Sequence, residues 1–276
     1  MARQHETTND GTTIRWERTG SGDPVVLVHG ITERREVWDP LVERLAAEVE
    51  LITLDLRGHG RSDRADRYDL VDLAGDVAAV IADAGVGHPH VVGHSLGGAV
   101  VTALGAAGGV RSVTDIDQSL RLSAFKDQVG QVEELLRDPQ AFGPVMHGLF
   151  QELMGPTLPE AERARLTQLR RADQDVVLGV WQVLLESSPA EVDATIDAAL
   201  AGYRRHAVPY LSIFGADPGE GYQRWLSARI PGALVELWPD HGHYPHLVAP
   251  DRMADRLRAF WASPAGNDTG NGTSPG

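Results

Sequence analysis

The sequence predicts an α/β fold, a mostly parallel central sheet flanked by helices, with an all-helical block inserted late in the chain. Three observations carry this. Short apolar runs of the buried-strand kind alternate with amphipathic helical stretches over 1–118. Such alternation builds a parallel sheet covered on both faces. The pattern then turns to helices alone over 119–206, and strand–helix alternation resumes over 207–262. We therefore expect a core in two parts, 1–118 and 207–262, interrupted by a helical cap at 119–206. The tail over 263–276 is Gly, Asn, Thr, Ser and Pro with almost nothing to bury, and is expected to be disordered.

Taken in order, 12–18 alternates as a strand after the Asn9-Asp10-Gly11 turn. A buried strand follows over 24–28 and ends at His29-Gly30-Ile31-Thr32. Trp38, Leu41, Val42 and Leu45 share one face of a helix over 35–47. The strand 51–54 runs into the Gly-punctuated loop Asp55 to Asp63, and a helix covers 69–84. After the strand 90–92 and its helix comes a strand over 110–116, ending near Asp117. The inserted block should hold helices over 122–137, 140–154, 160–186 and 190–204, broken at Pro139, Pro156, Pro159 and Pro189. Its apolar positions, Met146, Leu149, Phe150, Leu153, Leu178, Trp181 and Leu185 among them, read mainly as packing. A strand over 209–214, a helix over 222–230, a strand over 234–238 and a last helix over 251–261 complete the chain.

Composition narrows the function classes. The 276 residues are 42% hydrophobic and carry a formal net charge of -14. An acidic surface argues against nucleic-acid or anionic-membrane partners, both of which need basic patches. With no cysteine there is no disulfide, no thiolate metal site and no cysteine nucleophile. The N-terminal residues lack the apolar core of a secretory signal, and no apolar run approaches membrane-spanning length. We expect a cytoplasmic protein acting on a small molecule; its oligomeric state is open.

The chemistry centres on Gly93-His94-Ser95-Leu96-Gly97-Gly98, entered by the strand His90 to Val92 and left by a run of small residues. Gly-x-Ser-x-Gly in a strand–turn–helix context is the nucleophile-elbow pattern. Glycines on either side let the turn be sharp enough to lift the hydroxyl clear of the sheet, and the helix that follows aims its free N–H groups at the same place. A serine nucleophile needs a base and an acid that orients it, and in this topology they follow in the order acid, then histidine. The loops after the last two strands offer Asp217 and the trio His241, His243 and His246. His29, Asp55 and Ser95 also stand at strand ends, where ligands of such sheets bind.

With these residues in view, the chain resembles the α/β-hydrolase fold family, in its serine-nucleophile branch with a helical cap. The carrying motifs are Val28-His29-Gly30, the run Asp55 to Ser62, the elbow, Gly215-Ala216-Asp217 and Gly242-His243-Tyr244-Pro245. The resemblance implies Ser95 as nucleophile, His243 as general base, Asp217 as the acid, and the Ile31 and Leu96 amides as oxyanion hole. Gly215-Ala216-Asp217 is one residue shorter than the usual pattern. Asp117, at the end of the earlier strand, is therefore the alternative acid, although Asp217 is preferred. His241 and His246 read as partly exposed loop residues, His29 and His94 as structural. A His-x-His-x-x-His metal site is the competing interpretation of that loop, disfavoured for want of partner ligands elsewhere. No cofactor is called for.

The resemblance implies acyl transfer on an ester or lactone. Carbon–carbon bond hydrolysis of a diketone, a ligand sensor with little turnover, and a cofactor-free oxygenation or elimination using His243 and Asp217 stand as alternatives. A serine at the elbow argues against the dehalogenase and epoxide-hydrolase branches, which place aspartate there.

Overall fold

The structure is a computed structural model that describes residues 3–263. The tail expected from 263 onward lies outside the described residues except for Ser263. One eight-stranded sheet runs through the molecule: β1 (Arg3–Asn9), β2 (Thr12–Gly20), β3 (Asp23–Val28), β4 (Val49–Leu54), β5 (His90–His94), β6 (Ser112–Ile116), β7 (Tyr210–Phe214) and β8 (Leu234–Leu237). Their spatial order is β1-β2-β4-β3-β5-β6-β7-β8. The first two strands are antiparallel to their neighbours, and the rest pair in parallel. The edge strand β1 is an addition to the sequence reading. It is polar and largely exposed, so no apolar run marks it.

Successive strand residues face opposite sides of the sheet, and the core divides accordingly. Val26, Val28 and Val91 pack on one face with α2 (Leu70–Asp83) and α3 (Leu96–Ala107). Val25, Leu27 and Val92 pack on the other with α1 (Asp39–Leu45) and the C-terminal helix Pro250–Ala262. Residues buried on both sides explain why these strands read as continuous apolar runs. The helix expected over 35–47 is instead a 3-10 turn over Arg35–Trp38 followed by α1. Pro40 sits in the first turn of α1, where its missing N–H costs nothing.

Between β6 and β7 the described chain is helical: α4 (Ser123–Gln131), α5 (Glu133–Arg137), α6 (Phe142–Met154), α7 (Glu160–Leu169), α8 (Gln174–Glu186) and α9 (Pro189–Leu200). Ser188 and Glu191 close a reciprocal capping box at the start of α9. Apart from α7, whose Leu166 packs in the core on the α1 side of the sheet, these helices share a small core of their own, which Ile31 joins. Two expected helices are broken. The stretch 122–137 divides at Val132. The stretch 160–186 divides into α7 and α8, with Arg170 extended and the Arg171 N–H donating to the Thr32 carbonyl at 2.9 Å. That break ties the inserted helices to the loop after β3. After β7 come α10 (Tyr222–Ser227), β8, α11 (Pro245–Val248) and α12 (Pro250–Ala262). Among the described residues no helix is long and apolar enough to cross a membrane.

Candidate active site

Ser95 sits between β5 and α3 with φ 52° and ψ -123°, a conformation costly for any residue with a side chain. Close packing makes the turn possible. A methyl on Gly93 would collide with the Gly97 carbonyl, and one on Gly97 would collide with the Val28 carbonyl at the end of β3. The Ser95 N–H donates to the Ile116 carbonyl at 2.9 Å, so the elbow is pinned to the neighbouring strand. Leu96 is the first residue of α3, where backbone N–H groups have no partner within the helix.

The loop after β3 is held by its own acid. Glu33 Oε2 accepts the Gly30 N–H at 2.9 Å, while the Glu33 N–H donates to the Gly30 carbonyl at 3.2 Å. This tight turn carries Ile31 to the mouth of the elbow, and Ile31 and Leu96 line one cavity with Ser95. His29 is fully buried. Its Nε2 accepts the Leu56 N–H at 3.0 Å, which leaves Nδ1 to donate to the Gly30 carbonyl at 2.8 Å. It is a structural ring, as the sequence suggests.

Of the two candidate acids, the structure brings Asp117, the alternative in the sequence, and not the preferred Asp217, to His243. His243 Nδ1 lies 2.6 Å from Asp117 Oδ2. Asp117 Oδ1 accepts the Gly215 N–H at 2.7 Å. Its own backbone is in the left-handed region, with φ 54°. Asp217 is exposed, and its side chain accepts the Gly219 N–H at 2.9 Å in a local turn. Gly215 therefore serves a different purpose from the one its motif suggests. It donates to Asp117, and a methyl on it would collide with the Gly242 carbonyl, so the glycine lets the His243 loop close down.

Burial dominates the His243 imidazole and lowers its pKa below the usual value; the Asp117 hydrogen bond and charge oppose this, and the nearby His94 adds to it. The His243 side chain remains 14% exposed, so a ligand in the cavity can reach the ring. Among the described residues Ser95 and His243 share no hydrogen bond; they meet as walls of one cavity of about 270 Å³, with Asp117.

The other histidines of that loop diverge. His241 turns its Nδ1 to the Pro239 carbonyl at 2.7 Å. His246, expected as a partly exposed loop residue, is fully buried on α11 and packs tilted against Trp38, with ring centroids 4.9 Å apart. Pro245 starts the short helix that turns His246 inward. Among the described residues no group of three or more His, Asp or Glu side chains is placed to hold a metal ion.

Sequence reasoning did not find two further residues. His94 Nε2 donates to the His243 carbonyl at 2.8 Å, and its Nδ1 lies 3.2 Å from Glu33 Oε2. Burial opposes the Glu33 charge, but His94, by charge and hydrogen bond, and Arg170 hold its carboxyl well below the usual range. Glu33 thus links the Ile31 loop to the His243 loop through one imidazole. Arg170, at the break between α7 and α8, stacks 3.2 Å above the Phe150 ring and donates from Nε to Thr32 Oγ1 at 3.2 Å. Among the described residues its Nη1 is buried without a partner. A lone loop acid and an arginine inside an apparently continuous helix carry no sequence pattern.

Below the site, Asp115 on β6 is fully buried against Ser212 Oγ (2.9 Å) and Tyr210 (3.3 Å). Burial raises its carboxyl pKa well above the usual range; the Ser212 hydrogen bond opposes this and the Asp117 charge adds to it.

Comparison with known proteins agrees with this architecture. A 2-(acetamidomethylene)succinate hydrolase of Mesorhizobium japonicum is 34% identical over 260 residues, 90% of this chain and 91% of that protein. The dihydrolipoyllysine-residue acetyltransferase component of an acetoin cleaving system from Pseudomonas putida is 42% identical over 266 residues, covering 91% of this chain and 67% of that protein. A solved structure of a putative aryl esterase from Burkholderia cenocepacia superposes with a TM-score of 0.76 at 26% identity, covering 94% and 97% of the two chains. A model of the alpha/beta hydrolase family matches residues 25–256. On the match and the fold together, this chain is an enzyme of the alpha/beta hydrolase family.

Proposed function

We propose that the chain hydrolyses a small, largely apolar carboxylic ester or lactone by acyl transfer through Ser95, His243 and Asp117. The observation that carries this is the Asp117–His243 pair facing the same cavity as the strained Ser95. With Nδ1–H donated to Asp117, His243 Nε2 is free to accept a proton. It takes the Ser95 hydroxyl proton as Oγ attacks the carbonyl carbon. The carbonyl π pair moves onto oxygen, and the Ile31 and Leu96 amides stabilise the oxyanion. Collapse expels the alkoxide, which leaves as the alcohol with the proton from His243, and an acyl-Ser95 ester remains. A water deprotonated by His243 then releases the acid and restores the serine. Asp117 orients the ring and stabilises its charged form. The helices from Ser123 to Leu200 act as a cap that walls the site with apolar side chains.

The test is turnover of p-nitrophenyl acetate, a simple lactone and a diketone by wild type and Ser95→Ala. Ester or lactone hydrolysis that falls by about a thousandfold or more in the variant supports the reading. Turnover of the diketone alone, or ester turnover untouched by Ser95→Ala, overturns it.

A further inference from the structure

Beside the reactive cavity lies a larger one of about 560 Å³. The reactive cavity, at about 270 Å³, falls just short of the roughly 300–1,000 Å³ usual for small-molecule sites. The two share walls: Leu70, Leu96, Ala99, Leu122 and Val180 border both. Leu96, Ala99 and Ala103 stand at i, i+3 and i+7 on α3, one face of the helix that starts at the elbow. The floor therefore leads from Ser95 into the second cavity, and small side chains keep it low. At about 1.5 Å per residue, Leu96 to Ala103 spans roughly 10 Å. Val192 and Ile196 of α9 border only the larger cavity. So does Val71, which is 81% exposed, while Val183, 39% exposed, borders both. These are two of the few large apolar side chains on the described surface. Apolar side chains left open beside an apolar cavity are ready for a ligand to cover.

We propose that this second cavity is the subsite for an unbranched aliphatic arm of the substrate, whose scissile carbonyl lies at Ser95. The proposal rests on the hydrolase reading above. It makes the substrate an ester or lactone with a medium-length alkyl chain, and makes Ala103 and Ile196 chain-length determinants that touch only the far part of that chain. Each methylene buried there should favour the longer substrate by up to about fourfold, until the chain reaches the polar rim at Glu186 and Ser187.

The experiment is kcat/KM for p-nitrophenyl acetate, butyrate, octanoate and dodecanoate on wild type, Ala103→Phe and Ile196→Trp. The second variant fills the cavity from the opposite wall should the first fail to fold. Wild type should favour octanoate over acetate by about tenfold or more. Either variant should lose about tenfold or more on octanoate while acetate changes by less than about twofold. A flat wild-type profile, or parallel losses on acetate and octanoate in folded variants, overturns the proposal while leaving the hydrolase reading intact. If no ester is turned over, the hydrolase reading fails and the subsite is judged by calorimetry with decanamide. Binding to Ser95→Ala that is lost on adding Ala103→Phe supports it, and binding unchanged by Ala103→Phe, or none, overturns it.

Discussion

The decisive residue-scale feature is the pairing of His243 with Asp117 across 126 positions of sequence. Because burial lowers the His243 pKa, the ring is neutral and ready as a base at pH 7. Activity should fall only as pH drops through a value below about 6.5, the ordinary imidazole figure. Asp117→Asn removes the hydrogen bond and the charge that do most to raise that pKa, so the acid limb of kcat/KM should move to still lower pH. The rate itself should fall by about a hundredfold to ten-thousandfold. A pH–rate profile of the two proteins checks both. Glu33 offers a second test. Its carboxyl is held below the usual range in the folded protein, so its contribution to stability is present above about pH 4.3. It is lost as pH falls through the lower folded value. Glu33→Gln should therefore flatten the acid side of a stability-versus-pH curve. It should also lower kcat by about tenfold to a hundredfold by loosening the Ile31 loop.

At the scale of elements, the site is made where four strand ends meet: β3 supplies the Ile31 loop, β5 the elbow, β6 Asp117, and the loop after β8 His243. Their spacing leaves no room at Gly97, whose missing side chain lets the start of α3 rest on the end of β3. Gly97→Ala should cost at least about 2 kcal/mol, seen as a drop of about 5 °C or more in Tm, with loss of ester turnover. The elbow and the His243 loop were legible because each packs its signal into a few consecutive residues. The acid was not. Gly215-Ala216-Asp217 has the look of a motif, yet Gly215 is there for its N–H and its lack of a Cβ. What singles out Asp117 is a left-handed backbone and a partner far along the chain, and neither leaves a local pattern. The break between α7 and α8 was hidden in the same way. It is set by a hydrogen bond from Arg171 to Thr32, where no proline or glycine marks it.

Over the whole molecule, the mostly parallel sheet and its two packed faces follow from apolar runs that the sequence displays openly, whereas the strand order does not. The polar edge strand β1 is recruited by pairing with β2 and by hydrogen bonds from Thr7 and Asn9 to Asp83 and Asp76 of α2, which hydrophobicity cannot signal. The helices from Ser123 to Leu200 are legible as helices, but their seating over the sheet depends on contacts such as Arg170 Nε on Thr32 Oγ1. Global stability should also carry the mark of Asp115. Its folded pKa is raised, so the native state keeps a proton that the unfolded chain releases near pH 4. Stability should decline as pH rises from about 4 until the folded value is passed. Asp115→Asn should shrink the difference in Tm between pH 5 and pH 8, measured by calorimetry.

The most direct measurement is intact-protein mass after brief exposure to a small fluorophosphonate. Wild type, Ser95→Ala, Asp117→Asn and Asp217→Asn would be compared under identical conditions. The account predicts one phosphonyl group on wild type and on Asp217→Asn at rates within about twofold of each other. It predicts no adduct on Ser95→Ala, and labelling of Asp117→Asn slower by about a hundredfold or more. Labelling that survives Asp117→Asn but collapses in Asp217→Asn, or a folded wild type that takes no label, would contradict it.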